Sequence, residues 1–468
     1  MAGAVGLDQG DAFSYVSGMN AEHESRKQRA PQLRVAELFA GVGGFRLGLE
    51  ASSGAFRTTF SSQWEPPGSA AKQFASACYV EHFGAEGHYN QDIALVLDQA
   101  EQRLIEIGPL DVVVGGFPCQ DYSVAKPLNQ SQGLRGKKGV LWWQIHRLIS
   151  LTGLHHQYPR YVFLENVDRL LKSPGSQRGR DFAIMLASLS DLGYDVEWRV
   201  INAADYGFSQ RRRRVLIVAR RRECRVSDGC DTVFKHGVLA RAFPVQDSAS
   251  IADSDRGQFE LIGEIHDISN AFGLGLTRSP FLNAGVVQGR KVLTYKTSPS
   301  YYGPKMTLGD ILIADEDVSE ELLITPEAFE KWRYLKGSKN EPRLHKASGT
   351  TYQYTEGPLP FPDSLERASR TILTAEGGKS PSRFKHVVQM GNGRFRRLSA
   401  IELERLNDFP DDWTNFGMSD VKRAFCMGNA LVVGLVERVS RIIAKDESLE
   451  TNPACMIAVD PADGRASR

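Results

Sequence analysis

Apolar and polar positions along the first half of the chain follow two alternating rhythms. Short apolar runs ("RVAELFA", "TTFSSQW", "LDVVVGG" and "YVFLENV") are each followed by a stretch in which apolar residues recur every third or fourth position: "GGFRLGLEAS", "AAKQFASACYVEHF", "VLWWQIHRLISLTGL" and "GRDFAIMLASLSDLGY". The first pattern predicts strands and the second helices. Gly193 supplies a stop for the last helix. "DVEWRVINA" and "RRVLIVAR" add two later strands. Strand and helix in turn predict an α/β fold on a doubly wound, mostly parallel sheet.

The regular part spans residues 32–224. Residues 1–31 are polar, mixed in charge and aperiodic, as a flexible leader is. After about Arg222 the apolar runs shorten and turn signals multiply, as in "NAGVVQGRKVLTYKTSPSYYGP", so residues 225–394 predict a second, smaller, irregular and mostly-β domain. Helical spacing resumes over 395–446 in "RRLSAIELERLNDFPDDW" and "GNALVVGLVERVSRIIAK", which is expected to pack back on the first domain; 447–468 is a polar tail.

Composition excludes classes rather than choosing one. Of 468 residues, 41% are hydrophobic and 24% charged, and 57 Lys plus Arg stand against 56 Asp plus Glu. An electropositive surface must then come from local clustering. Six cysteines, at 78, 119, 224, 230, 426 and 455, form no disulfide framework and point to a reducing compartment. The N-terminus lacks the apolar core of a secretion signal and no run is long enough to span a bilayer. A cytoplasmic protein with no membrane partner is expected.

Chemistry-bearing residues collect where predicted strands end, which is where open parallel sheets bind ligands. In "VAELFAGVGGFR", Gly41 and Gly43 match the start of a dinucleotide fingerprint, but Arg46 stands at its third glycine. The turn is either a cofactor cradle or a plain tight connection. Gln63, Trp64 and Glu65 follow the second strand, offering ribose acceptors and a flat face for a purine. Asp92 can accept from an exocyclic amine or cap the helix that follows. Cys119 comes after Gly115, Gly116 and Pro118 and before Gln120, Asp121 and Ser123. That loop suits a reactive thiol better than a buried one. Glu165 and Asn166 end "YVFLENV"; a carboxyl there acts as an acid or joins a structural ion pair. In Arg211–Arg214, alternation puts Arg212 and Arg214 on one side and Arg211 and Arg213 on the other.

Taken in order, "ELFAGVGGFRLGLE", "SSQWEP", "NQDI", "GGFPCQDYS", "FLENV", "DYGFSQRRRRVLIV", "RRLSAIELERLNDFP" and "GNALVV" closely resemble the cytosine-5 DNA methyltransferases, most of all the bacterial restriction–modification type. The resemblance covers roughly 33–222 and 395–445, and the middle matches that family's target-recognition domain by position only. It implies a Rossmann-like S-adenosyl-L-methionine-dependent fold and assigns roles. Cys119 is the nucleophile, Glu165 contacts the target cytosine, and Arg212 and Arg214 help hold the flipped base. Phe39, Ala40, Gly41, Gly43, Trp64, Asp92, Ile93, Pro118 and Asn429 line the S-adenosyl-L-methionine site. The family often has an acid just before the tryptophan; here it is Gln63, with Glu65 after, so either binds ribose. Gln120, Ser123, Arg135, Lys137 and Lys138 face DNA from a loop that closes on it. Implied partners are double-stranded DNA and a cognate restriction endonuclease, with the enzyme a monomer. No metal is implied: Cys224, Cys230 and His236 have the wrong spacing for a zinc site. An RNA-methylating relative usually carries a "CFT" signature, absent here, and an inactive regulator typically lacks the "PC" cysteine, present here.

Overall fold

The computed structural model describes residues 32–66, 73–99, 108–117, 141–222, 228–344 and 349–450. A ten-stranded sheet runs in the order β3-β2-β1-β4-β5-β7-β6-β9-β10-β8. Its strands are β1 (Leu33–Leu38), β2 (Phe56–Ser62), β3 (His88–Tyr89), β4 (Val112–Gly116), β5 (Tyr161–Val167), β6 (Tyr194–Asn202), β7 (Arg213–Arg221), β8 (Arg256–Glu260), β9 (Ala284–Gln288) and β10 (Lys291–Tyr295). Neighbours from β3 to β5 are parallel, and from β5 to β8 antiparallel. The sheet is therefore mixed, where a mostly parallel one was expected. Only a single 3-10 turn, Ala203–Tyr206, and a short loop separate β6 from β7, and β7 enters between β5 and β6 and pairs antiparallel with both.

The central strands are almost continuously apolar because both faces are covered. Ala36, Leu38, Val113, Val162 and Leu164 face one layer, with α3 (Ile93–Asp98), α4 (Leu141–His155) and α5 (Arg180–Asp191). Val35, Val112, Val114, Tyr161 and Phe163 face the other, with α1 (Gly44–Ser52) and the final helix. Gly193, after α5, has φ 85°, the left-handed stop its sequence predicts.

Residues 256–295, assigned by texture to the second domain, supply β8, β9 and β10 to the large sheet. Trp198 of β6 packs where a side chain at Gly285 of β9 would stand, 2.3 Å from the ring. This pairing covers what would otherwise be an open edge. Beyond it lie α6 (Pro326–Lys336), a hairpin of β11 (Lys339–Leu344) and β12 (Thr351–Glu356), and a short pair, β13 (Val388–Gln389) with β14 (Phe395–Arg396).

The chain returns through α7 (Ala400–Leu406), α8 (Asp420–Asn429) and α9 (Val433–Glu450). Two helical stretches were expected, and there are three. Asp408 and Asp412, at φ 62° and 57°, break the first after Leu406, and α8 is a separate amphipathic helix between the two expected stretches. A Cβ at Gly48 of α1 would lie 2.7 Å from Val436 Cβ and 2.9 Å from the Val433 carbonyl oxygen of α9. Gly48→Ala gains about 1 kcal/mol of helix propensity, but overpacking against a fixed backbone costs roughly 1–3 kcal/mol. The expected outcome is a lower melting temperature; an increase would mean that the two helices are not held this close.

Candidate active site

Three neighbouring strands put their carboxyl ends side by side. Leu38 of β1 pairs with Gly115 of β4, and Gly116 pairs with Glu165 of β5. From β1 the chain turns through Phe39 and Gly41, both at φ 56°, and Gly43 at φ 88°. A left-handed phenylalanine costs on the order of 1–3 kcal/mol, so this turn is held from outside. Ala40 N donates to Ser62 O at 3.0 Å, and Gly41 N to Gln63 Oε1 at 2.8 Å. Trp413 Nε1 donates to Val42 O at 2.8 Å, while its ring stacks on His82 at 3.5 Å between centroids. A Cβ at Gly43 would lie 2.4 Å from Phe83, whereas one at Gly41 would meet nothing within 4 Å. The turn is thus packed from behind and open in front.

Around that opening, Trp64 is half-buried and has no aromatic partner among the described residues. Among the described residues Glu65 is anchored through its main chain: its N–H donates to Gln73 Oε1 at 2.9 Å, and Gln73 Nε2 donates to its carbonyl at 2.6 Å. Asp92 is the N-cap of α3, accepting from Ala94 N at 2.9 Å through Oδ1, and Ile93 behind it is buried. Asn429 ends α8 exposed.

Phe117, the last described residue of the β4 exit, has its carbonyl held by Asn166 Nδ2 at 3.0 Å. Pro118, Cys119, Gln120, Ser123, Arg135, Lys137 and Lys138 lie outside the described residues. Beside this exit Arg214 Nε meets Glu165 Oε1 at 2.7 Å. A Cβ at Gly116 would come 3.4 Å from Glu165 Oε2. Of the two readings of Glu165, the structure shows the ion pair, made with Arg214 of the inward-facing arginine pair.

The four arginines divide as alternation predicts. Arg211 and Arg213 are exposed, and Arg212 and Arg214 point inward. Arg212 does not share Arg214's partner. It is buried, with Nη2 donating to Gly428 O at 2.9 Å and Ala430 O at 2.5 Å, and Nη1 to Ile372 O at 3.5 Å. It shapes the turn that carries Asn429. Burial and the charge of Arg214 lower its pKa to about 9, which leaves it charged at neutral pH.

Two further residues had no role in the sequence reading. Gln210 is fully buried; its Nε2 donates to Leu406 O and Asn407 Oδ1, both at 2.9 Å, and its Oε1 accepts from Ile372 N at 3.0 Å. It stood inside a quoted motif, but its neighbours come from far along the chain. Glu37 of β1 lies fully buried beneath the glycine turn, accepting from Tyr79 OH at 3.0 Å and Arg46 N at 3.4 Å. An acid at a strand position was its only signal. Among the described residues, no His, Cys, Asp and Glu group is placed to hold a metal, and no helix is long and apolar enough to cross a membrane.

Residues 33–445 match the family model of C-5 cytosine-specific DNA methylases, and the chain belongs to that family. It is 45% identical over 425 residues to the type II methyltransferase M.Sau3AI of Staphylococcus aureus, covering 89% of this chain and 97% of that one. To M.HhaI of Haemophilus parahaemolyticus it is 28% identical over 205 residues, 44% of this chain and 54% of that one. It shares its fold with the S. pombe Dnmt2 methyltransferase (TM-score 0.55, 12% identity, 90% and 100% of the two chains). The Entamoeba histolytica methyltransferase EhMeth is a second such case (TM-score 0.53, 15% identity, 89% and 99%). The protein is a DNA cytosine-5 methyltransferase of the type II restriction–modification kind.

Burial raises the Glu37 carboxyl from 4.5 to about 8. The folded chain then holds a proton that the unfolded chain has released between those values, so this residue's share of stability falls as pH rises through that window. Glu37→Gln should melt like the parent near pH 4 and increasingly above it up to pH 8, with no further gain beyond. A constant difference across denaturation curves from pH 4 to 9 would contradict this.

Proposed function

We propose that the enzyme methylates a cytosine flipped out of double-stranded DNA, with S-adenosyl-L-methionine as donor and Cys119 as covalent nucleophile. The observation that carries this reading is the Glu165–Arg214 pair in register with Gly116, three residues before Cys119. S-adenosyl-L-methionine supplies an electrophilic methyl group when bound. Phe39, Ala40, Gly41 and Gly43 would offer it a bare backbone, Trp64 a face for its adenine, Asp92 its second oxygen for the adenine amine, and Ile93, Pro118 and Asn429 the rest of the lining. Gln63 is engaged with Gly41, so Glu65 binds the ribose.

The Cys119 thiolate adds to carbon 6 of the base, which turns the ring into an enamine nucleophilic at carbon 5. The Glu165 carboxyl gives a proton or hydrogen bond to ring nitrogen 3 and so offsets the negative charge that thiolate addition puts on the ring. Arg214 orients the Glu165 carboxyl and helps hold the base. Carbon 5 would take the methyl group from the sulfonium, releasing S-adenosyl-L-homocysteine; loss of the carbon-5 proton to a base then expels the Cys119 thiolate. Flipping costs a few kcal/mol. The loop with Gln120, Ser123, Arg135, Lys137 and Lys138 repays it through phosphate contacts. Target recognition lies within 225–394, and the enzyme acts as a cytoplasmic monomer alongside a cognate endonuclease.

Bisulfite sequencing of plasmid DNA carrying the gene should reveal one methylated site, and Cys119→Ser should abolish it. An oligonucleotide with 5-fluorocytosine at that site should become covalently attached when the methyl donor is present; no attachment refutes the nucleophile. Glu65→Ala loses charge-assisted hydrogen bonds worth about 1.5–3 kcal/mol. KM for S-adenosyl-L-methionine should then rise about tenfold or more at nearly constant kcat, and an unchanged KM would return the ribose to Gln63.

A further inference from the structure

Outside the site lies a buried polar cluster that the chemistry above does not use. His386 Nδ1 is 2.9 Å from Glu376 Oε1, His386 Nε2 is 2.9 Å from Ser369 Oγ, and His386 N donates to Glu376 Oε2 at 3.0 Å. Serine, histidine and glutamate in this order have the geometry of a hydrolytic triad. Here all three are buried, and Ser369 Oγ donates to Arg370 O at 2.8 Å. A hydroxyl closed off from solvent has no path to a substrate, so its role is mechanical.

What it fixes is the strap 369–372. Asp363 locks the strap a second time, accepting from Arg370 Nε at 2.7 Å and Val387 N at 2.9 Å. The strap in turn grips the arginine segment. Ser369 N donates to Ser209 O at 2.7 Å, Arg211 N to Ser369 O at 2.8 Å, and Thr371 Oγ1 to Arg211 O at 2.5 Å. Ile372 N donates to Gln210, and Ile372 O accepts from Arg212. Two residues further on is Arg214.

We infer that the Ser369–His386–Glu376 cluster is a positioning device that sets the Glu165–Arg214 pair from the far side of the strap. It couples the region proposed to read DNA to the pocket proposed to hold the base. The inference rests on that reading of the pocket. Its three members are positioning residues and touch no substrate.

The test uses the full-length protein and the 5-fluorocytosine duplex with S-adenosyl-L-methionine, comparing His386→Gln and Ser369→Ala with the parent. Coupling networks of this kind change rates about 3- to 30-fold per substitution. The rate of covalent attachment should fall by that amount, with S-adenosyl-L-methionine affinity and duplex affinity each within about twofold of the parent's. Added to Arg214→Lys, where the pair is already displaced, either substitution should slow the reaction less than about twofold further. Effects that multiply fully with Arg214→Lys, or variants that attach at the parent's rate, overturn the inference. If His386→Gln fails to fold, Ser369→Ala, which removes one hydroxyl, decides alone. A parent protein that never attaches overturns the pocket reading itself, a different result from an attaching parent with unaffected variants.

Discussion

A single guanidinium, that of Arg212, ties together parts of the chain that share no local sequence. It sits where β7 begins and donates to carbonyls 160 and 216 residues further on. A buried charge is costly, and here its direct hydrogen-bond partners among the described residues are carbonyl oxygens, with the Glu165 charge acting from further off. Three donors spread in a rigid plane can reach three backbone groups at once, whereas a lysine ammonium is one point. The turn after α8 and the strap 369–372 are both held at fixed distances from the strand that carries Arg214. Gln210 repeats the arrangement two residues earlier with a neutral amide. Together they make the arrangement of the site a property of the whole chain.

Much of the fold follows from local pattern. Six apolar runs became strands of one sheet, and helices cover its two faces, because a central strand buried on both sides must be apolar throughout. Alternation also sorted Arg211 to Arg214 correctly into outward and inward pairs. Pattern failed where the partner was distant. Residues 256–295 read as irregular because their strands are short and their alternation weak, yet they lengthen the main sheet. A strand that adds to an existing edge needs fewer apolar residues of its own than one that nucleates a core.

The site was legible as a set of residue types at strand ends, and less so as a set of jobs. Glu165 was placed and its partner was not, since Arg214 reaches it only by antiparallel pairing of β5 with β7. Arg212 was grouped with Arg214, although it begins no strand pair and turns to the C-terminal helices instead. Glu37, Gln210 and Asn407 went without roles because what defines them is burial, which one sequence does not display.

The same residue type takes opposite parts according to that burial. Glu37 and Glu165 both lie near the ends of apolar strands. Glu37 lies under a turn, with a phenol and a backbone N–H as its hydrogen-bond partners among the described residues, and burial pushes it up to about 8. Glu165 opens toward the cleft with a guanidinium at 2.7 Å. The thiols divide likewise: burial pushes Cys78 and Cys426 up to about 12, which leaves them unreactive at neutral pH. A sheet of this kind buries nearly every polar group that its strands carry, and only at the carboxyl ends can a carboxylate, a guanidinium and a bare glycine backbone coexist without being neutralised or filled. Chemistry gathers there because that edge alone leaves such groups available to a ligand.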